Sequence, residues 1–313
     1  MGYTGKEIAL LTDVHGLLEP LEAILIDIKC RGINEIYSLG DNIGDGPNSN
    51  EVIKLLELNN VKSIAGNTEE YLMLGVYPFL SYLDNRRIKS CEFTKNSLDN
   101  ESLDLINKYK HSYIIKMGGK KIGLCHFAND VRIDFDIRST WSYQNNFDYL
   151  NTGIRFNKSA SKQFNYANSA AQQNEVLSVL NDHERDKLYK LGYVSYYEEP
   201  LFPEYEGSNT GLKVVEFDDI FQGHVHFKLE DINPKTSFHT IRAAGMGYGN
   251  DPVDSASYVI LKEKEKGFDA YEVLINYDRE KMLYTILNSN LDKRIELFTN
   301  ITDEERLKYK KSR

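Results

Sequence analysis

Seven side chains that could bind metal ions lie in five short segments of the sequence. The set combines two carboxylates, one amide and four imidazoles: Asp13, His15, Asp41, Asn67, His126, His224 and His226. Mixed nitrogen and oxygen ligands suit Mn, Fe, Co, Ni or Zn better than Ca²⁺, and we favour Mn or Fe here. Two carboxylates offset only half the charge of two divalent ions. The remainder would attract phosphate oxygens and lower the pKa of a bridging water. The set therefore predicts a dinuclear metal site for phosphate chemistry.

Each of these segments follows an apolar run that is typical of a strand. Residues 8–11, 35–39 and 61–65 are predicted strands, and helical patterns beginning at Leu18 and Asn48 separate them. This β-α-β-α-β order predicts parallel strands covered by helices. The carboxyl ends of parallel strands meet at one edge of a sheet, so we expect the candidate ligands to converge there.

Further strands are predicted at residues 114–117 and 121–125, joined by the Gly118-Gly119 turn, and at 220–222, 238–243, 257–261 and 271–275. Residues 129–215 break the pattern, because they are polar and rich in Asn, Gln, Ser and aromatic residues. We expect an inserted cap there, with a helix over about 159–191. The predicted division is a core at 1–128 and 216–278, a cap at 129–215 and a helical tail at 279–313.

Each motif alone has an ordinary explanation. An Asp-x-His is usually a turn, and a His-x-His can arise on any strand. In combination, each after a strand, they favour a metal site. The other histidines, His111, His183 and His239, fit no motif, and we expect surface or packing roles for them.

At these residues the chain resembles the calcineurin-like metallophosphoesterase family, whose motifs are D-x-H, G-D-x-x, G-N-H-[DE], an isolated H and G-H-x-H. Residues 40–47 and 50–52 resemble the bacterial subgroup of small phosphodiesterases and diadenosine polyphosphate hydrolases. The resemblance covers about 6–128 and 216–278 and implies an α/β fold, a four-layer α/β/β/α sandwich. It implies one metal on Asp13, His15 and His226, a second on Asn67, His126 and His224, and Asp41 bridging both. Asp41, Asn67 and His126 are also expected catalytic residues, and Asn42 and Thr68 expected substrate contacts.

Two positions depart from the family pattern. Thr68 stands where the family commonly has a histidine that assists the leaving group, and a hydroxyl is not an acid near neutral pH. Glu69 would then lack the histidine that it orients. Residues 244–247 read Ala-Gly-Met-Gly where the subgroup often has Asn-Pro-Gly-Ser.

These features predict a hydrolase of phosphoanhydride or phosphodiester bonds, in which a metal-bound hydroxide attacks phosphorus. Diadenosine tetraphosphate-like nucleotides fit the missing histidine, the subgroup resemblance and an aromatic-rich cap. The aromatic side chains that could stack on purines are Tyr143, Phe147, Tyr149, Phe156, Phe164 and Tyr166, although a small cap core would also use them. The alternatives are a phosphomonoesterase or protein serine/threonine phosphatase, and a non-catalytic binding protein with a decayed site.

The composition limits the kinds of binding partner and cellular compartment that we expect for the protein. A net charge of −9 argues against an extended nucleic-acid surface. No apolar stretch is long enough to span a membrane, and three cysteines without paired spacing are typical of a reduced compartment. We therefore expect a cytoplasmic protein that acts on a phosphorylated small molecule such as a nucleotide.

Overall fold

The computed structural model describes residues 5–74, 85–110, 112–126, 217–224, 226–231, 237–246, 254–291 and 299–310. Its strands are β1 (Glu7–Leu11), β2 (Glu35–Ser38), β3 (Lys62–Ser63), β4 (Ser112–Met117), β5 (Lys120–Cys125), β6 (Asp219–Gln222), β7 (Leu229–Asp231), β8 (Ser237–Thr240), β9 (Ser255–Glu263) and β10 (Phe268–Asn276). Its helices are α1 (Leu18–Cys30), α2 (Ser49–Leu58), α3 (Asn67–Leu74), α4 (Asn85–Ser97), α5 (Asn100–Ile106), α6 (Arg279–Asn288) and α7 (Asp303–Tyr309).

The described strands form two five-stranded sheets. The first has the order β10-β9-β1-β2-β3 and the second the order β4-β5-β6-β8-β7. β1, β2 and β3 are parallel, as the alternating pattern predicts, and β5, β6 and β8 are parallel in the second sheet. This mixed α/β architecture of two sheets and helices agrees with the fold that the resemblance implies.

Two apolar layers hold these elements together. Helices α1 and α2 pack on one face of the first sheet, because Leu21, Ile24 and Ile28 form one buried stripe along α1. The other face of this sheet packs against the second sheet, where Leu10 and Leu124 share one core cluster. The first sheet is therefore covered on both faces.

Several boundaries differ from the predicted ones. The strand predicted at 61–65 is only Lys62–Ser63, followed by an isolated bridge between Ile64 and Lys110. The strand predicted at 238–243 ends at Thr240, because the chain beyond it bonds to other loops. The Ala243 amide donates to the His226 carbonyl and the Ala244 amide to the Thr12 carbonyl.

The predicted helix from Glu280 onward is two helices, α6 and α7, and α6 packs against Leu17 and Met246 near the site. The expected cap at 129–215 and its helix over about 159–191 lie outside the described residues. In the part of the chain that is described, no helix has the length and apolar character needed to cross a membrane.

Candidate metal centre

The first two candidate ligand loops are aligned by backbone hydrogen bonds. β1 and β2 pair with Leu11 opposite Ser38. Beyond the strands, the Asp13 amide donates to the Gly40 carbonyl and the His15 amide to the Asp41 carbonyl, both at 2.9 Å. The parallel pairing thus continues into the loops, and their side chains emerge together.

The second sheet brings its histidines to the same place. Cys125 at the end of β5 lies opposite Gln222 at the end of β6, so His126 and the His224 loop leave the sheet side by side. The His224 amide donates to Asp13 Oδ2 at 2.9 Å, which links the second sheet to the first.

One cluster contains Asp13, His15 and His226. His15 Nε2 lies 3.1 Å from His226 Nε2 and 3.8 Å from Asp13 Oδ1, and His226 Nε2 lies 3.5 Å from the same Asp13 oxygen. These three residues offer nitrogen and carboxylate oxygen atoms close enough together to hold one metal ion.

A second cluster contains Asp41, His126 and His224, with Asn67 beside it. His126 Nε2 lies 3.1 Å from His224 Nδ1, 3.2 Å from Asn67 Oδ1 and 3.4 Å from Asp41 Oδ1. The other ring nitrogen of His126, Nδ1, donates to the Leu39 carbonyl at 2.8 Å. That bond leaves the Nε2 lone pair directed into the cluster.

Asp41 faces both clusters. Its Oδ2 lies 3.6 Å from His15 Nε2, and its Oδ1 lies 3.4 Å from His126 Nε2. A carboxylate with one oxygen toward each of two clusters has the arrangement that a bridging ligand needs.

The chemistry of these side chains fits cations. Asp13 Oδ1 is buried and has no hydrogen-bond partner among the described residues. Burial and the nearby Asp41 carboxylate raise the pKa of Asp13 well above its usual range, and burial lowers the pKa of His126. Asn67 Oδ1 faces other acceptors, whereas the reversed amide would donate to His224 Nδ1 at 2.7 Å. A metal cation bound between these side chains would interact favourably with the oxygen and nitrogen lone pairs that now face one another.

The candidate ligand loops adopt strained backbone conformations. Positive φ angles occur at Asp13 (51°), His15 (49°), Asp41 (52°), His224 (75°) and His226 (67°). Non-glycine residues rarely adopt this left-handed region, and such residues cluster at functional sites. These tight loops direct side chains that are close in sequence toward the two clusters.

Glu69 ties two of these loops together. Its buried carboxylate accepts from the backbone amides of Gly66 (2.8 Å), Asp41 (3.0 Å) and Asn42 (2.8 Å), and from Ile43 at 3.3 Å. Glu69 thus has no histidine at position 68 to orient, and its carboxylate instead holds the backbone of the Asp41 loop. Burial and the Asp41 charge raise the pKa of Glu69 to about 7, although the amide hydrogen bonds oppose that rise.

The two expected substrate contacts are engaged within the protein. The Thr68 hydroxyl and amide donate to Asp41 Oδ1 at 3.0 and 2.8 Å, so Thr68 orients the carboxylate that faces both clusters. Asn42 has no exposed surface, and its Oδ1 accepts from the Ser38 hydroxyl. Its Nδ2 has no hydrogen-bond partner among the described residues, and the expected substrate contact of Asn42 stays a prediction.

Sequence reasoning missed Asp45. This buried carboxylate has its Oδ2 atom 3.8 Å from His15 Nδ1, on the side of the ring away from the cluster. The Ser90 hydroxyl of α4 donates to Asp45 Oδ1 at 2.8 Å. Its one sequence signal is an acidic residue between Gly44 and Gly46, which by itself is typical of an ordinary turn.

Comparisons with known proteins agree with this fold. Residues 6–228 match the family model described as calcineurin-like phosphoesterase. The chain belongs to that family and is a metallophosphoesterase, a hydrolase of phosphoric esters or anhydrides. The family generally binds two divalent metal ions, and the two clusters are candidate ligand groups for them.

Individual relatives span nearly the whole chain. The chain is 26% identical over 284 residues to the uncharacterized protein MJ0912 of Methanocaldococcus jannaschii, covering 91% of this chain and 93% of that protein. It is similar in fold to hypothetical protein PH1004 from Pyrococcus horikoshii OT3, with a TM-score of 0.58, 13% identity and coverage of 93% and 97%. A metallophosphoesterase from Sphaerobacter thermophilus gives a TM-score of 0.53, 16% identity and coverage of 94% and 98%.

Proposed function

We propose that the chain is a two-metal hydrolase of phosphoanhydride or phosphodiester bonds. One metal would be held by Asp13, His15 and His226, the other by Asn67, His126 and His224, and both by Asp41. The observation that carries this proposal is the placement of Asp41, whose two oxygens face the two clusters at 3.6 and 3.4 Å. When bound, the two ions supply an activated water and positive charge at the phosphoryl oxygens.

The protein's own contribution is to hold these ligands in place before substrate arrives. Asp41 is fixed by two hydrogen bonds from Thr68, and its loop is fixed by Glu69. The ring of His126 is fixed by the Leu39 carbonyl. Preorganised groups of this kind need little rearrangement when charge develops in the transition state.

The leaving group determines which substrates this site favours. The Thr68 hydroxyl donates to Asp41 and is not an acid near neutral pH, so it supplies no proton to a departing alkoxide. Leaving groups that depart as stable anions, such as a nucleotide phosphate or an aryl oxide, have little need of that proton. This argument favours dinucleoside polyphosphates and activated diesters over serine phosphate.

A hydrolysis panel tests the proposal. The protein is treated with chelator, resupplied with Mn²⁺ or Ca²⁺, and assayed on diadenosine tetraphosphate, cyclic nucleotides, an aryl phosphodiester, alkyl phosphomonoesters and phosphopeptides. We expect turnover with Mn²⁺ and none with Ca²⁺, because imidazole ligands match a hard oxygen-seeking ion poorly. The polyphosphate and the aryl diester should be hydrolysed fastest.

Two outcomes would contradict the proposal. Equal rescue by Ca²⁺ would overturn the mixed nitrogen and oxygen site. Preference for serine phosphopeptides over every anhydride and diester would favour the alternative, a phosphomonoesterase or protein serine/threonine phosphatase.

A further inference from the structure

We propose that Asp45 is a positioning residue for His15 and that Ser90 of α4 holds Asp45 in place. The inference rests on the proposed metal site. It adds an outer carboxylate to the cluster of Asp13, His15 and His226, and it gives α4 a role in the site.

The two ring nitrogens of His15 face different surroundings. Nε2 faces into the site, 3.1 Å from His226 Nε2 and 3.6 Å from Asp41 Oδ2. Nδ1 faces away from it, 3.8 Å from Asp45 Oδ2. A metal on Nε2 requires the proton to reside on Nδ1, and the Asp45 carboxylate lies at ion-pair distance from that nitrogen, farther than a hydrogen bond.

Asp45 is itself held rigidly. Its Oδ1 accepts from the Ser90 hydroxyl at 2.8 Å, and its amide donates to the same hydroxyl oxygen at 3.0 Å. The Gly46 amide donates to the His15 carbonyl at 2.8 Å, so the loop also binds the backbone of the residue that it positions. Asp45 and Ser90 are both buried, which removes competition from bulk solvent.

This arrangement has a known physical effect on metal ligands. A carboxylate that accepts the outer N–H of a ligating histidine fixes its tautomer and ring orientation and raises its basicity, and removing it typically costs about 10–100-fold in metal affinity. Asp45 would take this role if the 3.8 Å separation closes to a hydrogen bond when a metal binds Nε2. Here the loss of affinity should affect only the metal ion held by Asp13, His15 and His226. The second cluster obtains its ring orientation from the Leu39 carbonyl, which bonds to His126 Nδ1.

The primary variant is Asp45→Asn. Asparagine tolerates the positive φ of 55° at this position and keeps an oxygen for the Ser90 hydroxyl, so the loop should keep its shape while the charge beside His15 is lost. Ser90→Ala is the second variant, and its effect should be smaller because Asp45 keeps its charge. The control is Asp219→Asn, which removes a carboxylate that lies 2.9 Å from a different histidine, His239, on β6 and β8.

The measurement is a titration of each chelator-treated protein with Mn²⁺, following free Mn²⁺ by electron paramagnetic resonance, with thermal unfolding of the metal-free proteins alongside. We expect two sites in the wild type. In Asp45→Asn one site should weaken by about 10–100-fold while the other stays within about twofold. Asp219→Asn should bind both ions as the wild type does.

Several outcomes would overturn the inference. They are unchanged affinity at both sites in Asp45→Asn, equal weakening of both sites, and a drop in metal-free thermal stability large enough to account for the loss. If Asp45→Asn does not fold, Ser90→Ala is titrated instead. Weaker Mn²⁺ binding at one site only would then support the inference, and unchanged or equally weakened binding at both sites would overturn it. A wild type that binds no Mn²⁺ would instead refute the proposed metal site itself.

Discussion

At the scale of single residues, Thr68 acts on the carboxylate that faces both clusters. Its hydroxyl donates to Asp41 Oδ1 at 3.0 Å, and its amide donates to the same oxygen at 2.8 Å. The side chain therefore acts on the proposed bridging carboxylate. Catalysis that needs a proton for the leaving group has no donor at this position.

Thr68→His should restore such a donor. The backbone bond to Asp41 survives the change, and an imidazole near the site can protonate a departing alkoxide, an effect worth roughly 10²–10⁴-fold. We expect faster hydrolysis of alkyl phosphomonoesters and little gain on nitrophenyl esters or dinucleoside polyphosphates. The measurement is kcat/KM on matched alkyl and nitrophenyl monoesters.

Thr68→Ser is the matched control, because it keeps the hydroxyl that orients Asp41, and its substrate ratios should equal those of the wild type. A uniform gain by Thr68→His on all substrates would mean that position 68 does not reach the leaving group. In that case the substrate argument drawn from the threonine would fail.

At the scale of residues, a functional role can be predicted from the sequence when the residue lies in an identifiable motif. It cannot be predicted when the role depends on a contact with a residue far away in the sequence. The seven candidate ligands converge because each follows a strand. By contrast, Glu69 acts on amides up to 28 positions away, and Asp45 meets Ser90 across 45 positions. No local pattern encodes those partners, so the amide bonds of Glu69 and the contacts of Asp45 could not be predicted from the sequence.

At the scale of elements, the site is formed by loops that pass very close to one another. A Cβ atom at Gly66 would collide with the Asp41 carboxylate and backbone amide, and one at Gly223 would collide with the Thr12 hydroxyl. These glycines allow the loops after β3 and β6 to approach the loops after β2 and β1.

Gly66→Ala should therefore displace Asp41 and impair both metals at once. We expect a loss of Mn²⁺ binding at both sites and of at least about 10²-fold in activity, since a misplacement of about 1 Å costs that much. Gly119→Ala serves as the control. That glycine has a φ of 81° with open space around it, so the change strains the backbone away from the site. Its melting temperature should fall while its metal stoichiometry stays at the wild-type value.

The elements that position the site were largely predictable. The apolar runs of β1 and β2 and the buried stripe of α1 follow directly from residue periodicity. The helices α3, α4 and α5 were not anticipated. The α4 sequence, Asn-Arg-Arg-Ile-Lys-Ser-Cys-Glu-Phe-Thr-Lys-Asn-Ser, carries too few apolar residues to show a helical period.

At the scale of the whole molecule, the candidate centre joins two sheets. Asp13, His15 and Asp41 follow strands of the first sheet, while His126 and His224 follow strands of the second. The two sheets share an apolar core. In addition, the hydrogen bond from the His224 backbone amide to the Asp13 carboxylate is a direct polar link between them. A metal held by ligands from both sheets would add a further link, present only in the folded state.

Metal should consequently raise the stability of the entire fold. An ion at 100 times its Kd that binds only the folded state adds about 2.7 kcal/mol for each site. We expect the melting temperature of chelator-treated protein to rise by several degrees with Mn²⁺, in a concentration-dependent way. Ca²⁺ at the same concentration should give little shift, and a shift equal to that with Mn²⁺ would argue against histidine ligation.

The strained loops imply that folding and catalysis place opposing demands on the same residues. Asp13 combines a φ of 51° with complete burial and a pKa raised by burial and by Asp41. A left-handed conformation costs a non-glycine residue roughly 1–2 kcal/mol. Asp13→Asn keeps an acceptor for the His224 amide, tolerates the positive φ and removes the charge. We expect the metal-free variant to melt at a higher temperature than the metal-free wild type and to be almost inactive with Mn²⁺. A lower melting temperature would mean that the carboxylate stabilises the fold without metal. In the expected case, selection for stability alone would erode this site, and its persistence would require selection for the reaction.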